Sequence, residues 1–112
     1  MIKASVEGEG RRFSTILVEF VNVVFGFFYE GEEEKVGTMA ISLPKTRTTP
    51  ATSSIVMGAK NTVPARMLAE FLAQKYAKIA FASVFTYRED DFATNRWLLK
   101  LAREIETKRE QI

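Results

Sequence analysis

The sequence predicts an α+β fold: an antiparallel β-sheet, or a small sandwich, of about six strands with two helices, in the order βββββαβα. The first observation is that apolar and polar residues alternate in short runs rich in Val, Ile and Phe, which is typical of strands. The second is that two later segments carry apolar residues at every third or fourth position, which indicates helices. Regular alternation of strands and helices is absent, which disfavours a doubly wound parallel sheet.

The first three strands are predicted from the apolar runs that precede residue 31. They cover residues 2–7, 12–20 and 23–30. Gly8 and Gly10 supply a turn after the first strand, because glycine adopts positive φ at little cost. Gly26 is expected to mark a bulge in the third strand. Runs of like charge usually stay in water, so a solvated hairpin tip is expected at Glu30, Glu32, Glu33 and Glu34.

A long loop is predicted between the fourth and fifth strands, which cover residues 35–43 and 54–58. The loop, residues 44–53, contains Pro44 and Pro50 and no large apolar side chain to anchor it. We therefore expect it to be exposed and mobile, and such loops commonly bind partners. The residues expected to bind a partner are Lys45, Thr46, Arg47, Thr48 and Thr49.

Two helices are predicted in the second half of the chain, separated by a sixth strand over residues 79–87. The first helix begins near Thr62, a suitable N-cap, with Pro64 in its first turn. The second is capped by Asp90 or Asp91 and runs to about residue 110. The apolar face of the first helix is formed by Met67, Leu68, Phe71, Leu72 and Tyr76.

One apolar stripe on the second predicted helix joins Trp97, Leu101 and Ile105, which are spaced at i, i+4 and i+8. A helix that follows the last strand can cover its own sheet or face a partner subunit. The stripe is therefore expected to be desolvated, either in the core or in a dimer interface. The chain has nine Phe, one Trp and three Tyr, more than one small core readily hides, so we expect a homodimer.

The composition limits the chemistry that this chain can perform. Its 112 residues predict a single domain over residues 1–112, and they include neither cysteine nor histidine. Disulfides and cysteine metal sites are thereby excluded, and so are the commonest general base and the commonest metal ligand. No serine or threonine is recognisable as a nucleophile, because a hydroxyl needs an adjacent base. Any catalysis would have to rest on carboxylates, lysines, tyrosines or hydroxyls, and we expect no metal and no cofactor.

Glu19 carries the alternative to a protein-binding function. A carboxylate within an apolar strand could serve as a general acid in a small-ligand-binding or carboxylate-based enzymatic α+β domain. Most such mechanisms need a second carboxylate, and none lies at a recognisable spacing from Glu19. The simpler interpretation is that Glu19 faces solvent.

Nucleic acids and membranes are disfavoured as partners. The formal net charge of +2 is too small to indicate nucleic-acid binding. The N-terminus lacks an apolar leader, and the apolar run over residues 13–29 contains Glu19 and Asn22, which favours strands over a membrane span. We therefore expect a cytoplasmic location.

The phenylalanines on the predicted strands are expected to lie in the core, because no basic residues interleave with them as an RNA-binding sheet would require. They are Phe25, Phe27, Phe28, Phe81 and Phe85.

The order and local texture of the elements over residues 23–105 carry a resemblance to a known family. The pattern comprises Val24-Phe25-Gly26-Phe27-Phe28, a polar turn, Met39-Ala40-Ile41-Ser42-Leu43, a loop of Pro, Ser and Thr, a short strand ending in Gly58, Leu68-Ala69-Glu70-Phe71-Leu72-Ala73-Gln74-Lys75, Ala77-Lys78-Ile79-Ala80-Phe81-Ala82-Ser83-Val84, a short acidic loop and a terminal helix. This pattern resembles the proteasome assembly chaperone 4 family, in an archaeal-type form.

The resemblance implies a small non-enzymatic assembly factor. Related chaperones pair with a similar subunit and hold proteasome α-subunits during ring formation, so the implied partners are proteasome α-subunits or a related chaperone subunit. The chain departs from other proteasome assembly factors in one respect: it ends Glu110-Gln111-Ile112, without their hydrophobic–tyrosine–any docking motif. Binding is therefore expected to use the body of the protein or the loop over residues 44–53.

Overall fold

A computed structural model of the protein describes residues 1–8, 10–50, 52–87 and 92–110, with the backbone alone for Phe92, Ala93, Glu106, Arg109 and Glu110. It confirms the α+β fold, with six strands and two helices in the order βββββαβα. The strands are β1 (Ile2–Gly8), β2 (Arg11–Glu19), β3 (Val23–Glu30), β4 (Thr38–Leu43), β5 (Thr52–Met57) and β6 (Ile79–Phe85). The helices are α1 (Thr62–Tyr76) and α2 (Phe92–Glu110). Asp90 and Asp91, the expected caps of α2, lie outside the described residues.

All six strands form one sheet, in the order β1-β2-β3-β6-β4-β5. Strands β1, β2 and β3 form an antiparallel meander, and β4 pairs antiparallel with both β5 and β6. Strands β3 and β6 run parallel, so the sheet is mixed and not antiparallel throughout. The parallel pair is possible because α1 returns the chain across the sheet before β6 enters between β3 and β4.

Both helices pack on the same face of the sheet. Helix α1 lies over β4, β6 and β5, and α2 lies over β1 and β2. Alternate strand residues point to this face, and they form one hydrophobic core with the buried faces of the helices. Each large side chain that is fully buried there stabilises the fold by about 1.5–3 kcal/mol. Among the largest are Phe13, Leu17, Val24, Phe28, Leu68, Leu72, Leu98, Leu101 and Ile105.

The N-cap of helix α1 lies one residue earlier than the predicted cap, Thr62. Its N-cap is Asn61, which has a left-handed backbone conformation (φ 56°) and whose carbonyl accepts from Ala65 N at 3.1 Å. The Asn61 side chain does not cap the helix but donates to Thr86 Oγ1 at 2.8 Å. Of the predicted apolar face, Leu68, Leu72 and Tyr76 are buried, and Met67 is exposed. Small alanines at Ala65, Ala69 and Ala73 complete the buried face and bring α1 close to the sheet.

Gly26 does not mark a bulge, because its pairing with both neighbouring strands is regular. A Cβ added at Gly26 would lie 2.6 Å from Leu72 Cδ1, so the glycine provides room for α1 against β3.

The irregular pairing in the sheet lies instead between Met39 and Ala40, where β4 meets β5. Strand β4 begins at Thr38, later than predicted. One reason is that Gly37 N donates to the Ser83 side chain at 2.8 Å.

None of the helices in the described ranges is long and apolar enough to cross a bilayer. The apolar run over residues 13–29 lies mainly in β2 and β3, as predicted from Glu19 and Asn22.

Candidate protein-interaction surface

The face of the sheet opposite the helices carries a continuous row of apolar side chains. The pairing register aligns Val18 of β2 with Phe25 of β3, Phe25 with Phe81 of β6, and Phe81 with Ile41 of β4. These residues alternate with residues of the core and therefore point away from the helices. A second row adds Ile16, Phe27 and Met39, with the buried Ser83 of β6 between Phe27 and Met39. We call both rows together the open-face patch.

Phenylalanine rings stack at the centre of the open-face patch. The ring centroids of Phe25 and Phe81 lie 4.9 Å apart with the planes 9° from parallel. Phe25 also stacks on Phe27 at 6.2 Å and meets Phe20 edge-on at 6.0 Å. Aromatic pairs of this kind contribute about 0.5–1.5 kcal/mol beyond the area that they bury. The stacking therefore gives the patch a defined shape before any partner binds.

The open-face patch remains partly in contact with water. Phe25, Phe27 and Phe81 are half-buried, whereas Phe28 on the helix side is fully buried. The prediction that all the strand phenylalanines belong to the core is thus wrong for these three and for Phe85, which is also half-buried. The reason is that both helices cover the same face and leave the other open. An exposed apolar surface with a continuous outline typically marks an interaction site.

A shallow groove and a polar rim border the open-face patch. The groove has a volume of ≈ 330 Å³, and Ile16, Val18, Phe27 and Val36 contribute to its lining. At the rim, the ammonium group of Lys35 lies 4.8 Å from the centroid of the Phe85 ring. An apolar centre surrounded by a polar, charged rim is the usual anatomy of a protein interface.

A buried ion pair fixes the end of the sheet against α2. Arg11 donates from Nη2 and Nε to the two carboxylate oxygens of Glu30, at 2.9 and 3.0 Å. Arg11 Nη2 also donates to Thr94 Oγ1 of α2 at 2.7 Å, and Tyr87 N donates to Glu30 Oε1 at 3.0 Å. The two charged side chains are 10% and 9% exposed. The pair therefore ties together β2, β3, α2 and the segment after β6.

Glu30 is consequently not part of a solvated hairpin tip, and the prediction is wrong for this residue. The other acidic residues of the tip, Glu32, Glu33 and Glu34, are exposed as predicted. The difference arises because Glu30 ends β3 on the helix side, opposite the guanidinium group of Arg11. Charge spacing along the chain does not reveal which carboxylate will meet an arginine from another strand.

The carboxylate considered for catalysis faces solvent. Glu19 is exposed, and its Oε2 accepts from Lys78 Nζ at 2.7 Å. Lys78 Nζ also donates to Phe20 O at 2.8 Å, so this ion pair fastens the turn after β2 to the start of β6. Among the described residues, no group of three or more acidic side chains is placed to hold a metal ion.

The residues expected to bind a partner through the loop after β4 are all exposed. They are Lys45, Thr46, Arg47, Thr48 and Thr49. The loop contains a local turn, in which Thr46 N donates to Thr49 O and Thr49 N donates to Thr46 Oγ1, both at 2.9 Å. Because β5 begins at Thr52, the loop is shorter than the predicted span.

The stripe on α2 faces the sheet of its own chain. Leu101 and Ile105 are fully buried, and Trp97 is half-buried against the core. The Trp97 ring lies over Gly8 of β1, where any Cβ would overlap it. On the outer side, Lys100 Nζ approaches the Trp97 ring to 5.2 Å from its centroid.

The open-face patch was missed in the sequence because the interior strands are apolar on both faces. β3 reads VVFGFFYE and β6 reads IAFASVF, so alternation alone does not distinguish the covered face from the open one. The available signal was the number of helices. Two helices, both after the meander, suffice for one face of a six-stranded sheet only.

The fold of this chain, a mixed six-stranded sheet with two helices on one face, is similar to that of a solved structure. The chain is similar to a protein in the crystal structure of a chaperone complex for yeast 20S proteasome assembly, with a TM-score of 0.69. The similarity covers 97% of this chain and 94% of the other, at 11% sequence identity. No protein-family model and no curated protein matches the sequence.

Proposed function

We propose that this protein is a non-enzymatic proteasome assembly chaperone that binds proteasome α-subunits during ring assembly. In this proposal it is an archaeal-type relative of the proteasome assembly chaperone 4 family and acts in the cytoplasm. The likeness in fold to the yeast chaperone, over nearly the full length of both chains, supports the class. The open-face patch supports a protein-binding role, since an apolar surface with a polar rim suits a protein partner better than a small substrate.

We further propose that the open-face patch is the interface of a homodimer. A twofold axis through the patch would stack the row of Val18, Phe25, Phe81 and Ile41 against its own copy, as an isologous interface requires. The helices and the loop after β4 would stay on the outside of such a dimer. These outer surfaces are then free to bind α-subunits.

Phe81→Glu tests the dimer. In a dimer, a carboxylate at the centre of the open-face patch would lose its hydration without gaining a counter-charge. We therefore expect the variant to be a folded monomer. Light scattering is measured at about tens of micromolar, a concentration at which specific dimers form. The matched control is Val21→Glu, which places the same charge on a turn residue that is 96% exposed. A monomeric wild-type protein, or a dimeric Phe81→Glu variant, would contradict this interface.

Co-expression with proteasome α-subunits tests the function. We expect the tagged protein to retain α-subunits on affinity capture and to raise the yield of α-rings on native gels. The Val21→Glu variant serves as the control that should behave as the wild type. If neither capture nor ring yield differs from an unrelated protein of similar size, the proposed function is wrong.

A further inference from the structure

We propose that the free edge of β5 accepts an extended, acidic segment of a partner protein, which adds to the sheet as a further strand. Strand β5 is the last strand of the sheet on its side in the described part of the chain. Residues 52–55 pair regularly with β4, before the register shift that involves Met39 and Ala40. Their outer backbone groups are therefore positioned as a sheet template.

The two edges of the sheet differ in how they are protected. The β1 edge carries Lys3 and Glu7, and Lys108 Nζ of α2 donates to the carbonyl of Lys3 at 2.8 Å. Charged side chains and covering groups of this kind prevent unwanted strand pairing. The β5 strand, with the sequence Thr-Ser-Ser-Ile-Val-Met, has neither a charged residue nor a proline. Within the described residues, the β5 edge thus lacks the protection of the β1 edge and is available for strand addition.

Apolar side chains beside β5 offer contacts for the alternate residues of an added strand. Helix α1 packs next to β5, and Arg66 Nε donates to Ser53 Oγ at 3.0 Å, which places this turn of the helix at the strand. Val63 and Met67 lie on the same turn and are 57% and 41% exposed. Val56 of β5 is 54% exposed. Strand addition gains its specificity from such side-chain contacts.

The charge around β5 selects an acidic partner. Lys45 and Arg47 lie in the loop that leads into β5, Lys60 follows its other end, and Arg66 lies beside it, all exposed. The nearby carboxylate of Glu70, which accepts a hydrogen bond from Ser53 Oγ, offsets part of this charge, but the four cations outnumber it. A positive surface of this kind favours an incoming segment with Asp or Glu at its ends.

A second copy of this chain fits the edge less well. Two β5 strands paired antiparallel would bring Lys60 of each copy towards the loop carrying Lys45 and Arg47 of the other. Like charges placed together at an interface disfavour association. Strand addition by a heterologous acidic segment avoids this repulsion, and it leaves the open-face patch free for dimerisation.

The test uses two synthetic peptides and the full-length protein labelled with ¹⁵N. One peptide is acetyl-Asp-Val-Thr-Val-Thr-Asp-amide, and the other has Lys in place of each Asp. We expect the acidic peptide to shift the amide signals of β5 and of the first turns of α1, and the basic peptide to leave them unchanged. Arg66→Glu should weaken binding about fivefold at low salt. Arg103→Glu, an exposed change on α2, should not weaken it.

Ser54→Lys supplies a second variant, because a lysine on an edge strand opposes further pairing. Ser54 is exposed, so this variant is expected to fold and to lose peptide binding. The inference is overturned if the acidic peptide causes no shifts, if the basic peptide binds equally, or if the shifts fall on Phe25 and Phe81. Shifts of β5 on concentrating the protein alone would indicate a second copy and would also overturn it. Capture of α-subunits is scored separately, so failure here leaves the proposed function standing.

Discussion

Arg11 and Glu30 show how two side chains can hold several elements in one arrangement. The guanidinium group satisfies both carboxylate oxygens of Glu30 and reaches Thr94 on α2. Backbone Tyr87 N supplies a further donor to the same carboxylate. A charge pair that is buried to this extent needs all of these hydrogen bonds, since the loss of hydration is otherwise uncompensated.

Replacing Glu30 by alanine is expected to lower the free energy of unfolding by about 3–5 kcal/mol, because the Arg11 charge is then buried without its counter-charge. Urea denaturation at a fixed protein concentration measures the change. Glu34→Ala is the matched control: its ion pair with Lys3 is largely exposed, with side chains 61% and 55% in solvent, and should contribute at most about 1 kcal/mol. Equal losses in the two variants would contradict the assigned role of the buried pair.

At the scale of elements, one stripe of side chains packs α2 against the meander. Leu101 and Ile105 fill the core, and Trp97 closes its end over Gly8. The spacing of these three residues predicted a shared face, but it left open whether that face covers the sheet or a second subunit. The answer depends on which strands lie beneath the helix, which spacing within one helix does not reveal.

Trp97→Ala is expected to lower the free energy of unfolding, because removal of the ring leaves a cavity against β1. The loss should lie at the lower end of the range of about 3–5 kcal/mol, since the ring is only half-buried. The loss should be the same at low and high protein concentration. Thermal unfolding followed at two concentrations tests this. A variant that keeps its stability but changes its association state would place Trp97 in a subunit interface instead.

The loop after β4 is expected to contribute to partner binding without supporting the fold. Lys45, Thr46, Arg47, Thr48 and Thr49 are replaced together by Gly and Ser, with Ser at position 46 to keep the hydroxyl that accepts from Thr49 N. The side chains removed are exposed, so the change in unfolding free energy should stay within about 0.5 kcal/mol. Capture of α-subunits should fall. Unchanged capture by this variant would exclude the loop from the binding surface.

At the scale of the whole molecule, the sheet has one covered face and one open face. Pairing of two open faces would bury the aromatic rows and add the free energy of association to the stability of the folded chain. The midpoint of thermal unfolding is then expected to rise with protein concentration, because a dimer is favoured by mass action. Calorimetry over a hundredfold range of concentration tests this, with Phe81→Glu as a variant whose midpoint should not move. A concentration-independent midpoint for the wild type would argue against a dimer.

The sequence predicts which segments form helices and strands, but it does not predict the order of the strands in the sheet. Residues 62–76 and 79–85 follow local periodicity, which is a property of neighbours along the chain. The open-face patch depends instead on the position of β6 between β3 and β4, which brings Phe81 beside Phe25. The partner of Glu30 lies nineteen positions away in sequence, at Arg11. Contacts of this range leave no periodic signal.

The place of β6 in the sheet has a consequence for the order of folding. During synthesis the meander β1-β2-β3 and the hairpin β4-β5 can each form from local pairings as they emerge. They cannot join, because the strand between them is made only after α1. Until residue 79 and those after it leave the ribosome, β3 and β4 each expose an edge of unfilled hydrogen-bonding groups. The two parts of the sheet can therefore be joined only after β6 has been synthesised and inserted between β3 and β4.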